Sequence, residues 1–430
     1  MSKVRFLNVF LLVTMSFAFI TTPSFAQDNS ASADTSQLKS TNKQLNVFID
    51  CKTRGCDFDF FRREIPFLNY VRNRQDADLH ILINAQNAGN GGRSYTIDII
   101  GLRTLTGKNF EMEYQSSPFS TDDEIRFGLM QRIKTGILPF MVNSEMYKQI
   151  DILYRGESEF VEEQIIDPWN LWVFRISLDG DIEIEQHADG HRFNTEVNAN
   201  RTSDKWKVDI EAEVTLEQEN FEVDDETVTD NRRENEFEAI VVRSLSDHWS
   251  VGGGTSARSS TYNNYDLQLE LMGAIEYNLF PYFESSRKQL LFMYMAGLNI
   301  HDYTEVTIYD KSSESLLSHS LNISLEFNQP WGEIRTSLEG SSFLHDLSKN
   351  RLEMYSNIEV NLFKGFSLNL NAEYSMIRDQ LNLPGGGASR DDILLQRREI
   401  ATDFEFEFSI GISYTFGSLS NNVVNPRFGF

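Results

Sequence analysis

Residues Asp403-Phe404-Glu405-Phe406-Glu407-Phe408-Ser409-Ile410-Gly411-Ile412-Ser413-Tyr414-Thr415-Phe416 decide the fold: every second side chain is apolar, and those between are acidic, small or hydroxylic. Side chains of a strand point alternately to its two faces, so this stretch has one face suited to oil and one to water. The preceding segment repeats the device, with Phe366, Leu368, Leu370, Ala372, Tyr374 and Met376 interleaved by Ser367, Asn369, Asn371, Glu373 and Ser375. A tilted strand crosses a bilayer in roughly 9–11 residues, and each segment is long enough.

Read backwards with the same test, the chain shows further alternating sets. Examples are Leu352, Met354, Ile358, Val360 and Leu362; Leu321, Ile323, Leu325 and Phe327; Leu267, Leu269 and Leu271; Val208, Ile210, Ala212 and Val214; and Trp172, Phe174, Ile176 and Leu178. The segment around Phe237, Ala239 and Val241 is the weakest, because Ile240 and Val242 blur its two faces. The total over residues 169–417 is about twelve strands, and an even number is expected of a single-chain transmembrane antiparallel β-barrel. With the N-terminal part placed in the periplasm, the long connections (217–233, 301–316 and 378–402) fall outside. Short ones such as Ser246-Asp247, Gln329-Pro330 and Lys364-Gly365 fall on the periplasmic side, as barrels require. Trp172, Trp206, Trp249 and Trp331, together with Trp169, then share one level and form an aromatic girdle with Phe280, Tyr282, Phe363 and Phe366. The competing fold is a water-soluble β-sandwich, which would bury the apolar face against a second sheet.

Gly411-Ile412-Ser413-Tyr414-Thr415-Phe416 looks like the C-terminal recognition strand of outer-membrane barrels, although residues 417–430, ending Phe428-Gly429-Phe430, follow it. With Gly417-Ser418 and this tail, the chain resembles a family of Gram-negative outer-membrane barrels without an established activity. That resemblance implies fold and location and no reaction.

Ahead of the barrel, Lys3 and Arg5, the apolar run Phe6–Ile20 and Ser24-Phe25-Ala26 read as a signal peptide over residues 1–26. A polar linker covers 27–44, an α+β domain 45–150, a second linker 151–168, and the tail 418–430. Within the domain, Leu45–Asp50 is a strand. Phe58, Phe61, Ile65, Leu68 and Val71 form the apolar face of a helix that Pro66 kinks or divides. Strands follow at Leu79–Asn84, Tyr95–Leu102 and Phe110–Tyr114, separated by Asn90-Gly91-Gly92 and Thr106-Gly107, and a capping box at Thr121 and Glu124 opens a final helix. The sheet is expected to be mostly antiparallel. The layout, with Ala77-Asp78-Leu79-His80-Ile81-Leu82-Ile83 leading to the Thr106-Gly107 hairpin, resembles the N-terminal domain of the periplasmic TolB protein. The resemblance implies a protein-interaction module without catalysis.

Lys+Arg 39 against Asp+Glu 64 gives a net charge of -25, which leaves no broad basic face for nucleic acid. The two cysteines, Cys51 and Cys56, are a disulfide candidate in an exported chain, with free thiols or a redox pair as the alternatives. No cofactor or metal motif is present in the sequence.

The inward face carries Glu183, Glu211, Glu213, Glu270, Glu359, Glu373, Glu405 and Glu407, which fill a polar lumen or line a cation-favouring pore. His301-Asp302 and His345-Asp346 lie on predicted outer loops, but adjacent side chains of an extended chain point apart. Gly385-Gly386-Gly387 with Ser389 and Arg390 lacks the Lys-Ser/Thr of a P-loop and reads as a loop leading to a short helix over Asp391 to Glu399. The expected function is an outer-membrane barrel that anchors a periplasmic interaction domain, a binding or envelope-assembly component. The alternatives are a passive channel for small cationic solutes and an outer-membrane lipid-modifying enzyme. Expected partners are outer-membrane lipid and a periplasmic protein.

Overall fold

The computed structural model describes residues 44–142, 148, 151, 167–223, 226–386, 399–418 and 427. The signal peptide, nearly all of both linkers and of the tail, Gly387, Ser389, Arg390 and the helix expected after them lie outside the described residues, apart from Glu399.

The N-terminal region is a five-stranded sheet, order β2-β1-β3-β4-β5, with both helices on one face. β1 (Asn46–Cys51) ends at Cys51, which is joined to Cys56 by a disulfide with 5.7 Å between Cα atoms. The ring between them turns at Gly55 (φ +88°), where a Cβ would sit 2.4 Å from Ile125 Cγ2, so the site needs glycine for both conformation and space. Asp57 then caps α1 (Phe58–Glu64) by accepting the Phe60 N–H at 2.8 Å.

That helix is shorter than its apolar spacing suggests. It stops at Ile65 because Pro66 cannot donate the next helical bond. Leu68 and Val71 are buried as expected, but on extended chain around β2 (Asn69–Tyr70), which pairs parallel to β1. β3 (Leu79–Asn87) also runs parallel to β1, while β4 (Arg93–Gly101) and β5 (Asn109–Gln115) add antiparallel. The sheet is therefore mixed. α2 (Asp122–Met141) begins with the Thr121/Glu124 capping box and buries Ile125, Leu129 and Ile133. With Phe61, Ile81, Ile97 and Ile99 these make the core, each contributing about 1.5–3 kcal/mol of burial.

The second part is a single twelve-stranded antiparallel sheet in which each strand pairs with its sequence neighbour. The strands are β6 (Trp172–Ile184), β7 (Ala188–Thr202), β8 (Trp206–Val223), β9 (Glu226–Ser244), β10 (Trp249–Ser260), β11 (Tyr265–Asn278), β12 (Lys288–Tyr303), β13 (Ser313–Gln329), β14 (Gly332–Phe343), β15 (Asp346–Phe363), β16 (Phe366–Ile377) and β17 (Phe404–Tyr414). Among the described residues β6 pairs only with β7 and β17 only with β16. The alternating apolar set is left exposed: Ile176, Leu178, Phe404, Phe406 and Ile412 are each more than 60% accessible. The clustered hydrophobic core lies in the N-terminal region, and no second sheet covers the large one among the described residues, which removes the sandwich. No described helix is long and apolar enough to cross a membrane.

Residues 217–223 and 226–233 are strand and not loop. β8 and β9 continue as a ladder to Val223↔Glu226, so β9, the strand with blurred faces, is the longest among the described residues, at 19 residues. Polar cross-strand bonds sustain the extension where apolar alternation has ended: the Asn220 amide donates to Asp189 at 2.8 Å and the Thr229 hydroxyl to Asn220 at 2.8 Å. The connection expected at 301–316 shrinks to residues 304–312 because β12 and β13 run past both of its ends.

Candidate functional site

The register puts the predicted acids on one face. Glu211 lies opposite Glu238, Glu213 opposite Glu236, and Glu373 opposite Glu407; Glu405 is opposite Ser375. This face is concave, since β10 to β15 and the segment around Asp379 and Gln380 line one cavity of about 440 Å³. Neighbouring amides hold several of the acids: Asn194 donates to Glu213 at 2.5 Å, Asn198 to Asp209 at 3.0 Å, Gln268 to Glu270 at 2.9 Å and Asn322 to Glu339 at 3.1 Å. Arg351 is shared between Asp379 (3.0 Å) and Glu353 (3.1 Å). Glu183, on the edge strand β6, is exposed.

His301 is not on a loop. It is buried on β12, its Nδ1 lies 3.1 Å from the Tyr303 hydroxyl, and that hydroxyl donates to Glu314 at 2.7 Å. Asp302, next along the strand, points to the other side, so the pair builds no joint site. His345 sits in the Leu344-His345 turn, and Asp346 begins β15 and holds Ser348 instead.

All five tryptophans lie at the end of the sheet that carries the turns 203–205, 245–248, 279–287, 330–331 and 364–365. Trp172 stacks on Phe174, Trp249 packs on Tyr277 at 4.7 Å, and Trp206 carries Arg243 at 5.5 Å. Trp331 instead lines a cleft with Arg72, Asn73 and Gln75 of the N-terminal region. Tyr282 leaves the expected girdle, turning inward to donate to Glu276 at 2.6 Å. Burial pushes its hydroxyl up to about 12, and the bond to Glu276 adds to the effect.

The same turns receive the N-terminal sheet. His80, Leu82 and Asn84 of β3 point away from the helices, yet they are 0%, 7% and 8% exposed. Asp50, Lys52, Leu82 and Asn84 share a cleft with Asn328, Gln329, Glu333 and Asn361 of the large sheet. Ion pairs fasten this contact. Arg287 donates Nε and Nη2 to the two Asp98 oxygens at 3.0 and 2.6 Å and also reaches Glu111; Lys52 pairs with Glu359; Lys364 pairs with Asp76 at 2.8 Å. Burial pushes the Asp98 carboxyl above the usual range despite Arg287. For Asp76, burial pushes upward, but bonds from Lys364 and Asn73 outweigh it and hold the carboxyl below that range. Of the predicted acids, Glu359 alone takes part. The Arg287–Asp98 and Arg287–Glu111 contacts join residues 189 and 176 positions apart, a separation that carries no local sequence signal.

Fold and site define a twelve-stranded antiparallel sheet, largely amphipathic, with an α+β region fastened to its tryptophan end. Residues 177–395 match the family described as "Protein of unknown function, DUF481", and the chain belongs to that family. A search of curated proteins finds no match. Among solved structures, the chain is similar to a NanC porin in a rhombohedral crystal form, at 11% identity, over 56% of this chain and 100% of that one, with a TM-score of 0.27.

Proposed function

We propose that the protein is an outer-membrane β-barrel that anchors a periplasmic interaction domain, a binding or assembly component of the cell envelope. The observation that carries this reading is the fastened domain: one face of its sheet is packed against the turns of the large sheet by Arg287, Lys52 and Lys364. That arrangement holds the domain at one membrane surface and leaves its helical face and the β5 edge for a partner.

The membrane itself is supported by the exposed apolar set, which water would not tolerate at that extent. In hydrocarbon each unpaired backbone group costs several kcal/mol, so β6 and β17 pair and close the sheet once it is in lipid. The test is purification of the full chain from outer membranes beside a variant lacking 45–142. A partner that co-purifies with the first and not the second supports the anchor; an identical set of proteins from both removes it.

A passive channel for small cations is the second reading, favoured by polar-face acids such as Glu270, whose hydrogen bond comes from an amide and not from a cation. Single-channel recording separates the two: the anchor reading expects no conductance until the domain is released, and steady cation conductance from the intact chain would favour the channel.

A further inference from the structure

One apolar patch on the polar face spans four neighbouring strands. Ile240 and Val242 on β9, Met272 and Ala274 on β11, and Met293 and Met295 on β12 turn toward that face and enclose, over the backbone of β10, a cavity of about 300 Å³. Its floor is Gly252 and Gly254. A Cβ at Gly252 would meet the Val241 carbonyl at 2.8 Å, so the floor stays bare. A polar lumen has no need of such a patch, whose size falls in the range of small-molecule sites. Methionine is the side chain that adapts best to a flexible aliphatic guest.

The rim is acidic. Glu238 and Glu270 both lie opposite Ser256, on the strands to either side of it, and Glu276 borders the far end beside Tyr282. Glu270 is held by the Gln268 amide and Glu276 by the Tyr282 hydroxyl. Arg258, the nearest arginine on β10, is engaged by Glu234. Among the described residues these three carboxylates border an apolar cavity without a cation in ion-pair contact. Glu270 and Met272 also line the polar 440 Å³ cavity, so oil and water meet at that point.

We propose that this cavity binds the aliphatic chain of a single-chain amphiphile with a cationic head, the chain lying on Met272, Met293 and Met295 and the head between Glu238 and Glu270. The inference rests on reading the sheet as a closed barrel. An anionic head would be repelled by the rim, and a short cation would leave the apolar floor wet.

The test uses the full chain in lipid nanodiscs with methyl-labelled methionine, titrated with dodecyltrimethylammonium. Met354 and Met376, on the opposite face of the sheet, report partition into lipid. Saturable shifts at Met272, Met293 and Met295, absent at Met354 and Met376, are expected. Glu238→Gln with Glu270→Gln should weaken dodecyltrimethylammonium about tenfold while changing dodecyl maltoside by less than about threefold. Ala274→Phe should abolish both, with folding checked by heat-modifiable mobility; the two Gln substitutions preserve shape and keep the test valid if Ala274→Phe misfolds.

Equal, non-saturating shifts at all five methyls would overturn the proposal, as would equal binding of dodecyl sulfate or the same response to tetramethylammonium alone. A lipid-borne nitroxide tests the barrel separately. It should broaden Met354 and Met376 and spare the other three; broadening of all five refutes the barrel whatever the amphiphile does.

Discussion

Replacing Arg287 with Ala probes the joint between domain and sheet most directly. Arg287 makes two bonds to Asp98 at 3.0 and 2.6 Å and a third contact to Glu111, with the Asp98 side chain 14% and the Arg287 side chain 36% accessible. Exposed ion pairs contribute about 0–1 kcal/mol, and breaking a buried one costs about 3–5 kcal/mol. This pair is only partly buried, and its loss strands Asp98 among groups already out of water, so about 2 kcal/mol is expected at neutral pH. That corresponds to a change of about 30-fold in the ratio of docked to released domain. Asn84 reads the ratio. It is buried only because the large sheet covers that face, and the native cysteines are joined to each other, so Asn84→Cys introduces the one thiol free to react. Its alkylation rate should rise about 30-fold in Arg287→Ala. Adding Asp98→Asn should restore much of the protection, since the stranded charge is then gone. Burial already raises the Asp98 carboxyl, and losing Arg287 raises it further, so the penalty should shrink as pH falls and the acid becomes neutral. A change under threefold at neutral pH, or no relief from Asp98→Asn, would refute the argument that this pair holds the domain in place.

Four other outcomes follow from local chemistry. Asp57→Ala removes the α1 cap and should cost the domain about 1 kcal/mol, measured by urea unfolding. Gly55→Ala forces a Cβ to 2.4 Å from Ile125 at φ +88° and should cost about 1–3 kcal/mol in the same assay; a neutral effect would show that the ring relaxes. Asp76 has a lowered folded-state value, so the Asp76–Lys364 contribution is present above the unfolded carboxylate range and is lost as pH falls through the folded value; Asp76→Asn should flatten that part of the acid limb of the alkylation profile. Ile323→Arg, on the face shared with Leu338, should destabilise the sheet in lipid by about 2–4 kcal/mol, while Asn322→Arg, beside Glu339, should not; equal effects would deny that lipid covers that face.

Alternation made the large sheet legible because nearly every strand has one apolar and one polar face, a demand that repeats at every second residue. It failed where the demand lapses. Past Leu216 the β8–β9 ladder leaves the apolar zone, polar cross-strand bonds replace it, and the strands look like loop. In the small domain, Phe61, Ile65 and Leu68 have helical spacing, yet Pro66 ends the helix and the remaining apolar positions are buried on extended chain at Asn69–Tyr70. Two residues of strand leave no period to detect. The contacts between domain and sheet were out of reach for a different reason: Lys52, Asp76, Asp98 and Arg287 are ordinary surface charges until the fold brings distant turns together.

The same reasoning gives meaning to the strand that fitted worst. Ile240 and Val242 blur the two faces of β9 because most of the side chains on their face are polar, and a strand of this amphipathic sheet with no further task would place Asn, Ser or Glu there, as β13 does at Asn322 and Ser324. Opposite them stand Gly254 and Gly252, and beyond those Met272 and Ala274, so the departure is continued across the neighbouring strands at the same height. A single misplaced apolar residue would be tolerated noise. Aligned departures over four strands cost the polar face its hydration, the bordering carboxylates have no cation beside them among the described residues, and the proposed apolar, positively charged guest relieves both terms together.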